Sequence, residues 1–282
     1  MRIDDLRPTE NVDDRRGAFG GYGPHIAFGG GGLGLVAVVI ISLLFGVDPT
    51  KLLSGDGGAP TAQRTQEPGQ PRADDAAYQF SRKIIGSAED IWTPILQAKG
   101  VQFTPATFTV YDAETPTDCG EGQSSAGPFY CPNDNHVYLD LSFFNELADR
   151  FGAPGEFAQA YVIAHEYGHH IQTLLGTMNA HGERSTGAEG DSVRIELQAD
   201  CYAGVWANRA NAQFNILQQG DVDEGLHAAA AVGDDTLQKE GQGYAVPDSF
   251  THGTSAQRMR WFKRGLANGN MDECDTFSAR EL

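Results

Sequence analysis

Positive charge is what this chain most lacks: 20 Lys and Arg stand against 38 Asp and Glu in 282 residues, a formal net charge of −18. A nucleic-acid partner is excluded on that ground, because binding a phosphate backbone takes a basic face that releases counterions. Cysteine is also scarce. Four residues are too few for a disulfide-dense miniature scaffold, and none of them forms a C-x-x-C pair. No repeat recurs at a period of 20 to 50 residues, which removes solenoids and propellers. A 40% hydrophobic content is too high for a disordered protein.

One long apolar run is present. Residues 26–47 carry no charged side chain, and as a helix they would rise about 33 Å, the thickness of a bilayer core. The sequence therefore predicts one N-terminal transmembrane helix at 26–47, too long for a cleaved signal peptide and followed by no small-residue cleavage site. Arg2, Arg7, Arg15 and Arg16 precede it, against Lys51 and Arg64 after it. That bias predicts a cytoplasmic tail over 1–25 and an extracytoplasmic C-terminal part, the topology of a single-pass protein of a bacterial inner membrane. Residues 48–75, rich in Gly, Pro, Gln and Thr, read as a flexible linker. Residues 76–282 read as one domain, which holds 13 Lys and Arg against 28 Asp and Glu.

That domain opens with apolar residues three and four apart from Phe80 to Leu96, a packing helix. Thr107 to Tyr111 and Val137 to Leu141 alternate as strands, separated by a long loop from Pro116 to Asp134. Helical periodicity follows around 143–151, 156–175, 189–209, 221–240 and 255–266. A few strands followed by several helices predict an α+β fold with segregated layers.

Chemistry is concentrated in His165-Glu166-Tyr167-Gly168-His169, an H-E-x-x-H within an apolar helix. Four residues turn a helix by about 400°, so His165 and His169 lie about 40° apart and can share one ion. Zinc suits two neutral imidazoles plus a third protein ligand, with one position left open, and Glu166 is placed to act as general base. His170 lies about 140° round the helix from His165 and is set aside as a ligand. Glu196 and Asp200, four apart on a later apolar helix, predict a third ligand in Glu196 and an orienting partner for a ligating His in Asp200.

H-E-x-x-H followed by E-x-x-x-D resembles the gluzincin type of zincin metallopeptidase. More narrowly, the chain resembles the YpfJ-like family of bacterial neutral zinc metallopeptidases, which are membrane-anchored. The stretches that carry the resemblance are NVDDRRG at 11–17, GPFYCP at 127–132, VYLDLSFF at 137–144, AHEYGHHIQ at 164–172, ELQADCYAG at 196–204 and HGTSAQRMRWF at 252–262. It implies a zincin-like catalytic domain but supplies no substrate; the zinc motif itself calls for Zn²⁺ as cofactor, and reading the chain as a peptidase makes a peptide or protein its expected substrate. By the same resemblance His252 stabilises an oxyanion and Arg258 braces the site; apart from the resemblance, Tyr167, Tyr202 and Tyr244 are alternative donors that the sequence does not rank. The resemblance also implies that the strand VYLDL pairs with an extended substrate. An oxidising compartment would let Cys119 pair with Cys131 and Cys201 with Cys274; zinc ligation by these cysteines is the rival. Two further readings stand beside a peptidase: a catalytically silent binding module on a zincin scaffold, and a zinc amidase acting on cell-wall material. Oligomeric state is left open.

Overall fold

The computed structural model describes residues 1–17, 75–181 and 185–282. Its helices are α1 (Asp75–Ala98), α2 (Phe143–Asp149), α3 (Glu156–Leu174), α4 (Thr177–Ala180), α5 (Asp191–Phe214), α6 (Asp221–Ala231), α7 (Asp234–Gln242) and α8 (Ser255–Asn268). Strands β1 (Val12–Asp14), β2 (Thr107–Val110), β6 (His136–Leu139) and β5 (Phe129–Cys131) form one sheet in that spatial order, and β3 (Glu114–Thr117) pairs with β4 (Gly120–Gln123) as a separate hairpin. β1, β2 and β6 run parallel, and β5 is antiparallel to β6. The α+β layering expected from the sequence is present.

The apolar stripe of α1, including Ile84, Ile85, Trp92 and Leu96, is buried in the main core. α3 and α5 are buried along most of their length, because they are sandwiched between α1, α6 and α8. The sequence reads 221–240 as one helical segment. In the structure Gly233 breaks it into α6 and α7, and at that position a Cβ would collide with Ser255 at the start of α8. α8 begins on a capping box in which Thr254 accepts from the Gln257 N–H and the Gln257 side chain accepts from the Thr254 N–H. Gly204 on α5 and Gly265 on α8 face each other so closely that a Cβ on either would strike the other helix's backbone. This contact draws the two helices together and seats Arg258 against α5.

The expected N-terminal transmembrane helix is corrected. Among the described residues no helix is long and apolar enough to cross a membrane; residues 26–47, like the linker as far as residue 74, lie outside the described residues. The expected separate tail at 1–25 is corrected as far as it is described. Val12–Asp14 pair in register with Phe108–Val110, and Leu6 is buried in the main core. Buried Glu89 on α1 accepts from the Thr9 hydroxyl at 2.5 Å and the Asn11 amide at 3.0 Å, and pairs with Arg7 at 2.9 Å. β1 is thereby part of the same sheet as β2. Composition hid this because segment 1–17 is largely polar and charged, and part of what holds it is main-chain pairing and side-chain hydrogen bonds. Leu6→Ala is expected to cost about 2–5 kcal/mol, read as a lowered denaturation midpoint. A change within about 0.5 kcal/mol, the range of surface substitutions, would contradict this packing.

Candidate metal centre

α3 carries His165, Glu166 and His169 on its face toward α5, which carries Glu196 and Asp200. The helices approach closely at that level because Gly168, inside the H-E-x-x-H, lies against the backbone of Ala199, where a Cβ would come within 3.0 Å of the carbonyl oxygen. One ligand atom from each of His165, His169 and Glu196 lies within 4.8 Å of the others. His165 Nε2 is 3.1 Å from Glu196 Oε2, and His169 Nε2 is 3.5 Å from Glu196 Oε1. Ligand atoms about 2.0–2.1 Å from zinc in tetrahedral array would lie roughly 3.3 Å apart, and each histidine stands near that distance from one Glu196 oxygen.

Charge fits as well. Buried Glu166 and Asp200 and largely buried Glu196 face a single buried guanidinium, Arg258. With both imidazoles neutral the group is formally −2, which a divalent cation balances. Without a cation the imbalance falls on protons. Burial alone would lower His165, but the Asp200 and Glu196 carboxylates outweigh it and push His165 up to about 10. Glu196, despite its burial, is held well below the usual carboxylate range by His169 and His165. Burial raises Glu166 above its ordinary value, which suits a base that must accept a proton near neutrality.

Asp200 is the hub of the second layer. Its Oδ1 accepts from His165 Nδ1 at 2.8 Å and from the Tyr161 hydroxyl at 2.5 Å, while Arg258 donates to both carboxylate oxygens at 2.9 and 3.0 Å. His165 thereby carries its proton on Nδ1 and turns Nε2 toward Glu196. Arg258 Nη2 also comes within 3.4 Å of Nδ1, but two donors cannot bond each other. Asp200 stays ionised below its ordinary pKa because Arg258 and His165 outweigh its burial.

A cavity of about 400 Å³ opens on this group and is lined by His165, Glu166, His169, Glu196, His252 and Arg258, with Phe129, Phe143 and Val162 among its apolar walls. His252 reaches it from the turn before α8. Asp234 accepts three backbone N–H groups from Thr251, His252 and Gly253 on Oδ2, and its Oδ1 is 3.2 Å from His252 Nδ1. Against the effect of burial, Asp234 raises the His252 pKa.

Other residues that the sequence singled out lie apart from the ligand group. His170 is turned away, with Nε2 2.7 Å from the Thr104 carbonyl oxygen, and burial lowers it to about 4. Tyr167, Tyr202 and Tyr244 do not line the cavity; Tyr202 packs on Trp92, and Tyr244 is 62% exposed. The strand VYLDL is not an edge, since β6 pairs on both sides. β5 ends the sheet instead, and Phe129 and Tyr130 on it line the cavity. Both cysteine pairs are bridged, Cys119–Cys131 and Cys201–Cys274, so none is a metal ligand.

The sequence reading missed Tyr161, Gln172 and Asp234. Tyr161 precedes His165 by one helical turn and Gln172 follows His169 by three residues, so helical spacing could have found both. Asp234 is 18 residues before His252 across a loop and leaves no local signal.

Residues 1–277 match the family profile described as "Putative neutral zinc metallopeptidase". The chain is 45% identical over 287 residues to the uncharacterized protein YpfJ of Escherichia coli strain K12, covering 98% of this chain and 99% of that one. It is 40% identical over 259 residues to the uncharacterized protein Rv2575 of Mycobacterium tuberculosis strain H37Rv, covering 86% of each. No solved structure matches.

Proposed function

The chain belongs to the neutral zinc metallopeptidase family, and from that premise we propose that it hydrolyses peptide bonds, with His165, His169 and Glu196 holding Zn²⁺ in a gluzincin-type site. The observation that carries this reading is the convergence of the three ligand atoms within 4.8 Å at a cavity that also exposes Glu166 and His252. When bound there, zinc would polarise a carbonyl and acidify water. Glu166 takes the proton from the attacking water and passes it to the leaving amine. His252 is held by Asp234 through Nδ1, and as an imidazolium, the form that Asp234 favours, it also donates from Nε2 toward the oxygen that gains charge. Arg258 acts through Asp200 and keeps His165 in its ligating tautomer. An extended substrate would lie along β5, whose outer side bonds no other strand among the described residues. The two disulfides favour an oxidising compartment outside the cytoplasm.

Zinc-loaded protein incubated with mixed peptides and, separately, with cell-wall fragments tests the proposal. Products from peptides are expected. Products from wall fragments alone would favour the amidase reading, and products from neither would favour the silent module.

A further inference from the structure

His165 is oriented by a carboxylate, but His169 has a different partner. Its Nδ1 lies 2.8 Å from Gln172 Oε1, one helical turn further along α3. A side-chain amide can present either end to a neighbour, and here the backbone decides which. The Ile195 carbonyl, which can only accept, is 2.8 Å from the other end of the Gln172 amide, so that end is the NH₂. Gln172 therefore turns its oxygen to His169, and His169 must donate from Nδ1. Its Nε2 lone pair is then left facing Glu196.

The same reasoning extends one residue outward. The Cys274 carbonyl accepts from Gln198 Nε2 at 3.0 Å, which leaves Gln198 Oε1 to accept from Gln172 Nε2 at 3.0 Å. Two backbone carbonyls thus fix the sense of a relay that runs from the C-terminal segment through Gln198 and Gln172 to His169. Gln172 is fully buried, and Gln198 and Cys274 are nearly so, so water does not compete for these bonds. The Cys201–Cys274 bridge ties the outer end of the relay to α5, beside Asp200.

We propose that Gln172 is a positioning residue of the metal centre, fixing the tautomer and ring plane of His169, with Gln198 and the Cys274 carbonyl holding Gln172 in register. This inference rests on the reading of His165, His169 and Glu196 as a zinc site. Its chemistry differs from that at His165: an amide oxygen orients the imidazole without adding a further negative charge to a group that already stands at −2.

Zinc affinity of the full chain, measured by competition with a chromogenic chelator, tests the proposal together with the visible spectrum of the Co²⁺-substituted protein. Gln172→Met keeps an unbranched side chain of similar length and removes the acceptor. It is expected to weaken zinc binding about 10–100-fold and to alter the Co²⁺ bands, while circular dichroism shows the chelator-treated variant folded at 25 °C. Gln198→Met is expected to act in the same direction with a smaller loss, and it decides the matter if Gln172→Met does not fold. Wild-type affinity within about twofold and an unchanged Co²⁺ spectrum in the folded variant would overturn the proposal. A wild-type protein that takes up no zinc would refute the underlying site as well, so the two failures are distinguishable.

Discussion

Glu166→Gln is expected to lower kcat for peptide hydrolysis by about 10²–10⁴-fold, the usual contribution of a positioned general base, while the protein keeps its zinc. The two effects separate because Glu166 stands outside the ligand triangle of His165, His169 and Glu196. Gln preserves its size and hydrogen-bonding reach but cannot take up a proton. Burial of Glu166 disfavours its charged form and so raises its pKa in the metal-free protein. Steady-state kinetics on a cleaved peptide, with zinc measured on the same samples, checks both halves. A variant that keeps native kcat would remove Glu166 from the mechanism, and one that loses zinc would make Glu166 a ligand.

Arg258→Met is expected to destabilise the metal-free protein by about 3–5 kcal/mol, the range for removing one partner of a buried ion pair. Both partners are buried, and the guanidinium donates to both Asp200 oxygens, to the Tyr161 hydroxyl and to the Val232 carbonyl. Met keeps much of the volume, so the loss reports the weakened compensation of Asp200, left with His165 and the Tyr161 hydroxyl as partners, more than a cavity. Arg258→Lys should recover only part of it, because an ammonium cannot reproduce the two-pronged contact. Denaturant unfolding of the chelator-treated proteins gives the comparison. A loss below about 1 kcal/mol, typical of exposed pairs, would mean that Asp200 does not depend on Arg258.

The parts of the fold that bury a periodic apolar face were legible in the sequence. α1, α3, α5 and α8 lie where spacings of three and four residues put them, and the ligand pattern H-E-x-x-H with E-x-x-x-D is a consequence of helical geometry alone. What stayed hidden depends on contacts distant in sequence. β1 comes from a charged stretch whose pairing with β2 is nearly 100 residues away, and β3, β4 and β5 arise in a Gly-, Pro- and Ser-rich stretch without alternation. The apolar run at 26–47, outside the described residues, also gave no sign of where its flanks sit. Here β1 and α1 belong to one body. At the site, Glu196 and Asp200 were readable from their spacing, whereas the dependence of His252 on Asp234 was not, because a loop brings them together.

The central claim is that His165, His169 and Glu196 hold one zinc ion, and elemental analysis tests it most directly. Zinc per chain should be measured on the dialysed wild-type protein and on Glu196→Ala. The expected result is one zinc per wild-type chain, lost or much loosened in the variant. A wild-type protein without zinc, or a Glu196→Ala variant that holds it as firmly as the wild type, would contradict the site.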